Sequence, residues 1–348
     1  MTRICRVFAW FAPAATARRM HFAMMVAVAM SFSASASPQS GQRGSRHVPT
    51  AGEVRAENAL DAAKHDGEPG LYAFLKPFPK GADLHMHLSG AVYAETFIAE
   101  AVKQNLCVVP VDAGKPPSPI GKDAVEFSQP PCTKGAVPAA NALTNQALYD
   151  SLVDSFSMRA FVPSEGIDGH DQFFATFARY GGLKNVAGEW LDEVATRAAA
   201  QNEQYLEIMQ TPTFSNAAKL GAQIGWPQGS ESSATHETLS AVRDKLLAAG
   251  LRSEVAVDER ELTDATAARN TIEHCDMPAA SPGCAVRVHF LYQILRGYPP
   301  QQVFAQTLLG FEVASADPDV VGINFVMPED GRISMQDYHL QMQMLDYL

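Results

Sequence analysis

The chain has 348 residues, 47% hydrophobic and 19% charged, which excludes a disordered or fibrous protein and allows one large domain or two ordinary ones. Its 27 basic and 38 acidic residues give a net charge of −11. A surface of that sign repels phosphate backbones, so no nucleic-acid partner is expected.

The first 36 residues contain four Arg and no acid. Arg18 and Arg19 precede an apolar run from Phe22 to Phe32, and Ala34-Ser35-Ala36 then offers a small-x-small cleavage site. Residues 1–36 therefore read as an export signal, and the protein as periplasmic or secreted. The apolar run is short for a bilayer span, so no stable membrane anchor is expected after cleavage. The paired Arg is compatible with the twin-arginine route. Residues 37–50 are polar and read as a linker, and 51–348 as the folded portion.

Export bears on the cysteines. Cys5 lies in the leader, which leaves Cys107, Cys132, Cys275 and Cys284. An even number in an exported chain suggests disulfides, and three pairings are possible. Local pairing of Cys107 with Cys132 and of Cys275 with Cys284 is the most economical, each contributing about 3 kcal/mol. No pair has C-x-x-C spacing, which disfavours a zinc site on cysteine.

Apolar periodicity predicts a helix over 52–76, broken by Phe78-Pro79-Lys80-Gly81, and a strand over 82–88 ended by Ser89-Gly90. A helix is predicted over 93–104. Pro, Gly and Lys dominate 107–140, which reads as an inserted loop pinned by the first disulfide. Helices follow over 143–154, 172–180 and 190–201, then a strand over 204–210 and helices over 232–249 and 258–270. The remaining segments are a strand over 286–295, a helix over 300–315 with Pro at its start, a strand over 320–326, and a last helix from a Ser334 cap to Leu348. This alternation implies parallel strands joined by crossover helices. Four βα units are half of a (β/α)8 barrel. No stop signal follows the last helix, so 51–348 reads as the N-terminal portion of a larger barrel.

Chemistry concentrates at Asp83-Leu84-His85-Met86-His87. Histidines two apart on a strand point to the same side. That geometry suits two nitrogen ligands on one zinc, at the C-terminal end of a barrel strand where active sites lie. The other candidates read as structural. His274-Cys275-Asp276 and Glu273 sit in a Pro- and Ala-rich stretch that suggests a solvated loop. His170-Asp171, ahead of Phe173, Phe174 and Phe177, suggests core packing. His289 and Glu207 lie within strands and are assigned packing and structural roles, and His339 an exposed helix position.

Lys80-Gly81-Ala82-Asp83-Leu84-His85-Met86-His87-Leu88-Ser89-Gly90-Ala91 resembles the first-strand signature of adenosine deaminases, specifically the exported, growth-factor-like branch and its bacterial relatives. Ser157-Met158-Arg159 through Phe173-Phe174-Ala175-Thr176-Phe177 resembles the segment before that family's second strand. Tyr205-Leu206-Glu207-Ile208 resembles that strand, and Val321-Gly322-Ile323-Asn324-Phe325 with Glu329-Asp330 the fourth strand and its loop. The resemblance covers 70–348 and the N-terminal half of the family. It implies a metal-dependent hydrolase barrel with Zn2+ as cofactor, His85 and His87 as its first two ligands, and a purine nucleoside as small-molecule substrate. The implied reaction is hydrolytic deamination of adenosine to inosine and ammonia.

The family's later motifs are absent here: the His-Ala-Gly-Glu stretch, a later orienting His and an Asp-Asp pair. No catalytic residue is therefore assigned. Ser89 stands where the family carries Asp, and Met327-Pro328 where it carries Gly. Another metal-dependent amidohydrolase is the alternative enzyme; strand 320–326 lacks the Lys that bridges two metals in binuclear members. A non-catalytic fragment or binding module is the alternative outside enzymes. Residues 37–348 alone are expected neither to turn over adenosine nor to fold cooperatively.

Overall fold

The structure, a computed structural model, describes residues 48–111, 124–133, 135–163, 166–184, 186–212 and 215–348. The leader expected over 1–36 and most of the linker lie outside them. The chain divides into two compact units, Met1–Glu57 and Asn58–Leu348. Of the first, the described part is the start of α1 (Ala51–His65). There Thr50 N donates to Glu53 Oε2 and Glu53 N to Thr50 Oγ1, a reciprocal capping arrangement.

Gly67, with φ of 80°, ends α1 and opens α2 (Gly67–Leu75), so the single helix expected over 52–76 is two. A left-handed residue cannot continue a right-handed helix. Next come β1 (Gly81–His87), α3 (Leu88–Ala91) and α4 (Ala94–Lys103). The stretch read as a loop over 107–140 instead contains β2 (Cys107–Pro110), β3 (Val125–Ser128) and β4 (Val137–Pro138). They form an antiparallel sheet in the order β3-β2-β4. Pro and Gly obscured runs too short to show a period.

The chain continues through α5 (Gln146–Phe156), α6 (Gly169–Arg179), α7 (Ala187–Ala200), β5 (Glu203–Gln210), α8 (Ser215–Ile224), α9 (His236–Ala248) and α10 (Val255–Ile272). It finishes with β6 (Arg287–Leu295), α11 (Pro300–Ala316), β7 (Val320–Val326), α12 (Arg332–Gln336) and α13 (Tyr338–Tyr347). Helix α8 had no counterpart in the sequence reading. The last helix is two, and Ser334 lies inside α12 with Gly331 at its N-cap.

Strands β1, β5, β6 and β7 form one parallel sheet in the order β1-β5-β6-β7. The fold is α/β with the strand number of half an eight-stranded barrel. Leu206 and Ile208 of β5, Phe290, Tyr292 and Ile294 of β6, and Val320 of β7 pack with α7, α10 and α11 in the larger core, and Met86 of β1 lies against it. A smaller core gathers within the chain segment that connects β1 to β5. Phe97 stacks on Tyr180 at 4.2 Å and meets Trp190 edge-on at 5.4 Å. The Cys107–Cys132 disulfide ties β2 to the segment after β3, and Cys275–Cys284 closes the α10–β6 connection.

One buried carboxyl lies on the helix side of the sheet. Helix α11 approaches β6 so closely that a Cβ on Gly310 would lie 2.9 Å from the Tyr292 ring. The Tyr292 hydroxyl donates to Asp258 Oδ2 at 2.8 Å, and Oδ1 has no partner among the described residues. Burial pushes the Asp258 carboxyl up to about 7, opposed by the Tyr292 hydrogen bond and reinforced by Glu261 and Glu254. The raised value fixes the sign of its linkage. Below the unfolded value of 3.8 the group is protonated in both states. As pH rises towards 7 the unfolded chain releases a proton that the folded chain keeps, so stability falls, and the effect levels off above 7. The span corresponds to about 4 kcal/mol. Asp258→Asn retains an acceptor for Tyr292 and removes the charge. Urea unfolding across pH 4–7 should show a decline shallower by about that amount in the variant. Equal declines in both proteins would rule out Asp258 as the source.

Candidate metal and substrate site

Strand β1 is placed from both ends. Lys80 N donates to Asn202 O at 3.1 Å, setting β1 beside β5. The Lys80 ammonium donates to the carbonyls of Leu75 and Phe78 and caps the end of α2. Met86 faces the helix-side core, so alternation puts His85 and His87 on the opposite face. Their ring centroids are 5.3 Å apart and nearly perpendicular. His85 is exposed and His87 half-buried. The Asp83 carboxylate accepts from the His85 backbone N–H at 2.9 Å.

His87 is held from two strands away. Its Nδ1 lies 2.6 Å from Oε1 of Gln293, a buried residue of β6, and Gln293 Nε2 donates to Thr211 Oγ1 at 3.0 Å. Sequence reasoning missed both residues. A signal existed: Gln293 is the one amide in the run Phe290-Leu291-Tyr292-Gln293-Ile294-Leu295, and a buried amide needs partners.

Helix α6 crosses the C-terminal edge of this sheet. At one end the Tyr180 hydroxyl donates to Ser89 O, just past β1, at 3.2 Å. At the other, His170 Nε2 lies 3.0 Å from Asp330 Oδ1, just past β7. Eleven helical residues rise about 16 Å, and three strand spacings span about 14 Å, so one helix reaches across. Phe177 of this helix lies near Gly90, three residues after His87. A Cβ on Gly90 would lie 3.7 Å from the Phe177 ring and 3.5 Å from His87 Cβ. His170, expected in a core, is instead at the surface against the Phe174 ring.

Among the described residues two other groups place three potential ligand atoms within 4.8 Å, and neither includes His85 or His87. In Glu273, Cys275 and Cys284 the two sulfurs are already bonded to each other. Glu273 corrects the solvated-loop expectation: it is 2% exposed and bound by Arg269 at 3.2 Å. Arg269 also donates to the carbonyls of Gly283 and Val286. The second group is Asp168, His170 and Asp171. Its aspartates form the capping box of α6, each accepting the other's backbone N–H. His274 is exposed with φ of 55°, and His339 is exposed. His289 is half-buried beside Tyr205, whose hydroxyl donates to Glu207.

No protein-family model matches the chain, and no curated protein matches it. Among solved structures, an amidohydrolase from Burkhoderia ambifaria with bound zinc is distantly similar, with 16% identity and a TM-score of 0.37 over 77% of this chain and 50% of that one. The chain thus spans about half the length of that structure.

The Asp168 group acts as a helix cap. Asp168→Ala should lower stability by about 1 kcal/mol, and by the same amount with millimolar calcium or zinc present. A loss that appears only with metal would make the group an ion site.

Proposed function

We propose that this chain is part of a zinc-dependent hydrolase of the amidohydrolase kind, with His85 and His87 as two of the metal ligands. The observation that carries this is the pair of adjacent imidazoles at the C-terminal end of a parallel strand, on the face turned away from the helices. Donor chemistry fits as far as it goes. Two neutral nitrogens suit zinc, and a catalytic zinc takes three protein ligands and a water. Among the described residues, no third His, Cys, Asp or Glu groups with the pair. When bound in such a site, zinc supplies a water acidic enough to attack at neutral pH.

The finer reading is hydrolytic deamination of adenosine, or a related purine nucleoside, to inosine and ammonia. It rests on the resemblance of 80–91, 157–177, 205–208 and 321–330 to adenosine deaminases. The aromatic rings of α6 near the histidines are compatible with a planar substrate. Another amidohydrolase-type reaction requires the same metal pair and is the second reading. Export remains part of the proposal, and the two disulfides support it, because such bonds persist in oxidising compartments.

Zinc titration of the whole chain tests the metal reading. Wild type should bind about one zinc per chain weakly, and His85→Ala or His87→Ala should each weaken binding at least tenfold. Equal binding by all three proteins would overturn it. Ammonia release from adenosine should be absent even with zinc, because among the described residues no third ligand groups with the pair. Turnover lost in His87→Ala would instead show a complete site.

A further inference from the structure

We infer that Gln293 is the positioning residue of His87: its side-chain oxygen accepts a hydrogen bond from Nδ1–H, which keeps the ring proton there and leaves Nε2 as the free ligand nitrogen. The inference rests on the metal reading above and names the group that prepares one of its two ligands.

A neutral imidazole carries one proton. A ring that binds metal through Nε2 must keep that proton on Nδ1, where it needs an acceptor. An amide oxygen accepts only, so the 2.6 Å contact between His87 Nδ1 and Gln293 Oε1 requires an Nδ1–H donor. The amide is itself held. Gln293 is 7% exposed, and its Nε2 donates to Thr211 Oγ1 at 3.0 Å. The opposite arrangement reverses both bonds: the amide nitrogen would donate to Nδ1, the proton would sit on Nε2, and the Thr211 hydroxyl would donate to Gln293. Only the first arrangement leaves Nε2 open to a metal.

His85 provides the contrast. It is exposed, and its ring has no hydrogen bond among the described residues. One ligand is therefore oriented before metal arrives, while the other is free to adjust. The hold also reaches across the sheet. Gln293 lies on β6, Thr211 follows β5, and His87 ends β1, so the bond fixes the ring relative to all three strands.

The test reads the tautomer without metal. Long-range proton–nitrogen correlations on the metal-free chain at alkaline pH should place the His87 proton on Nδ1. Gln293→Leu should abolish that preference and weaken zinc binding 10- to 100-fold. Gln293→Glu, which keeps an acceptor, should preserve both. Thr211→Val leaves the buried glutamine in place, so it carries the test if Gln293→Leu does not fold; it should loosen the preference. A wild-type proton on Nε2 overturns the inference. So does a folded Gln293→Leu protein with unchanged tautomer and zinc affinity. If wild type shows the Nδ1 proton and takes up no zinc, the metal reading fails and the role of Gln293 in orienting the ring stands.

Discussion

Parallel pairing of β1 with β5 is the constraint on which the rest of this structure depends. A parallel pair cannot be closed by a tight turn, so the chain must leave the sheet after His87 and return at Glu203. The excursion over 88–202 accommodates the small antiparallel sheet, the first disulfide and the aromatic cluster around Phe97. It also carries α6 back over the strand ends. Register then decides the chemistry. His87 aligns with Met209, and Met209 with Leu291, two residues before Gln293. A slip of one residue would turn His87 towards the helices and bury Leu88 on the wrong face.

Buried charge is handled in different ways across the fold. Arg269 and Glu273 neutralise each other beside the Cys275–Cys284 disulfide, and Arg269 also satisfies two carbonyls of the loop. Burial still raises the Glu273 carboxyl, because the arginine and its hydrogen bonds only partly compensate for lost water. Arg179 is buried and makes no ion pair among the described residues; it donates to Ser155 O and Gln172 Oε1, and burial lowers it, opposed by the charge of Glu126. Among the described residues Asp258 hydrogen-bonds only a phenol, and burial raises its carboxyl to about 7. The three sites connect sequence-distant elements through charge or its suppression, in places where apolar packing alone would leave carbonyls or hydroxyls without partners.

The sheet was legible in the sequence because its strands are short apolar runs separated by helical periods. The runs 204–210, 286–295 and 320–326 each lie within one or two residues of the observed strands. The antiparallel sheet was not legible. Val125-Glu126-Phe127-Ser128 alternates, but four residues flanked by Pro and Gly give no periodic signal beyond a loop. Helix α8 was missed because its apolar face is mostly Ala and Gly, small residues that pack against α11 without looking like a hydrophobic stripe. At the site, His85 and His87 stood out because two histidines at strand spacing are uncommon. Gln293 and Thr211 did not, since their roles exist only once β1, β5 and β6 lie side by side. Glu273 was misread because its partner, Arg269, comes from the preceding helix, while the residues that follow it lead into a Pro- and Ala-rich stretch.

The two faces of the sheet differ in a way that bears on what the second face meets. A parallel sheet covered by helices on both sides reads as continuous apolar strands. Here the helix-side face is apolar, with Leu206, Ile208, Phe290, Tyr292 and Ile294. The alternating positions carry His85, His87, Glu207, His289, Gln293 and Asn324, with Met209 and Leu291 among them. A second helical layer would strand those groups without water, at a cost of about 1–3 kcal/mol for each one unpaired. The outer strands also keep apolar side chains in solvent, with Leu84 of β1 57% exposed and Val321 of β7 46% exposed. Polar groups therefore concentrate on the face turned away from the helices, and exposed apolar side chains on the two edge strands. Helix α6, tied past β1 by Tyr180 and past β7 by His170, joins the two edge strands at the end of the sheet where the histidines stand.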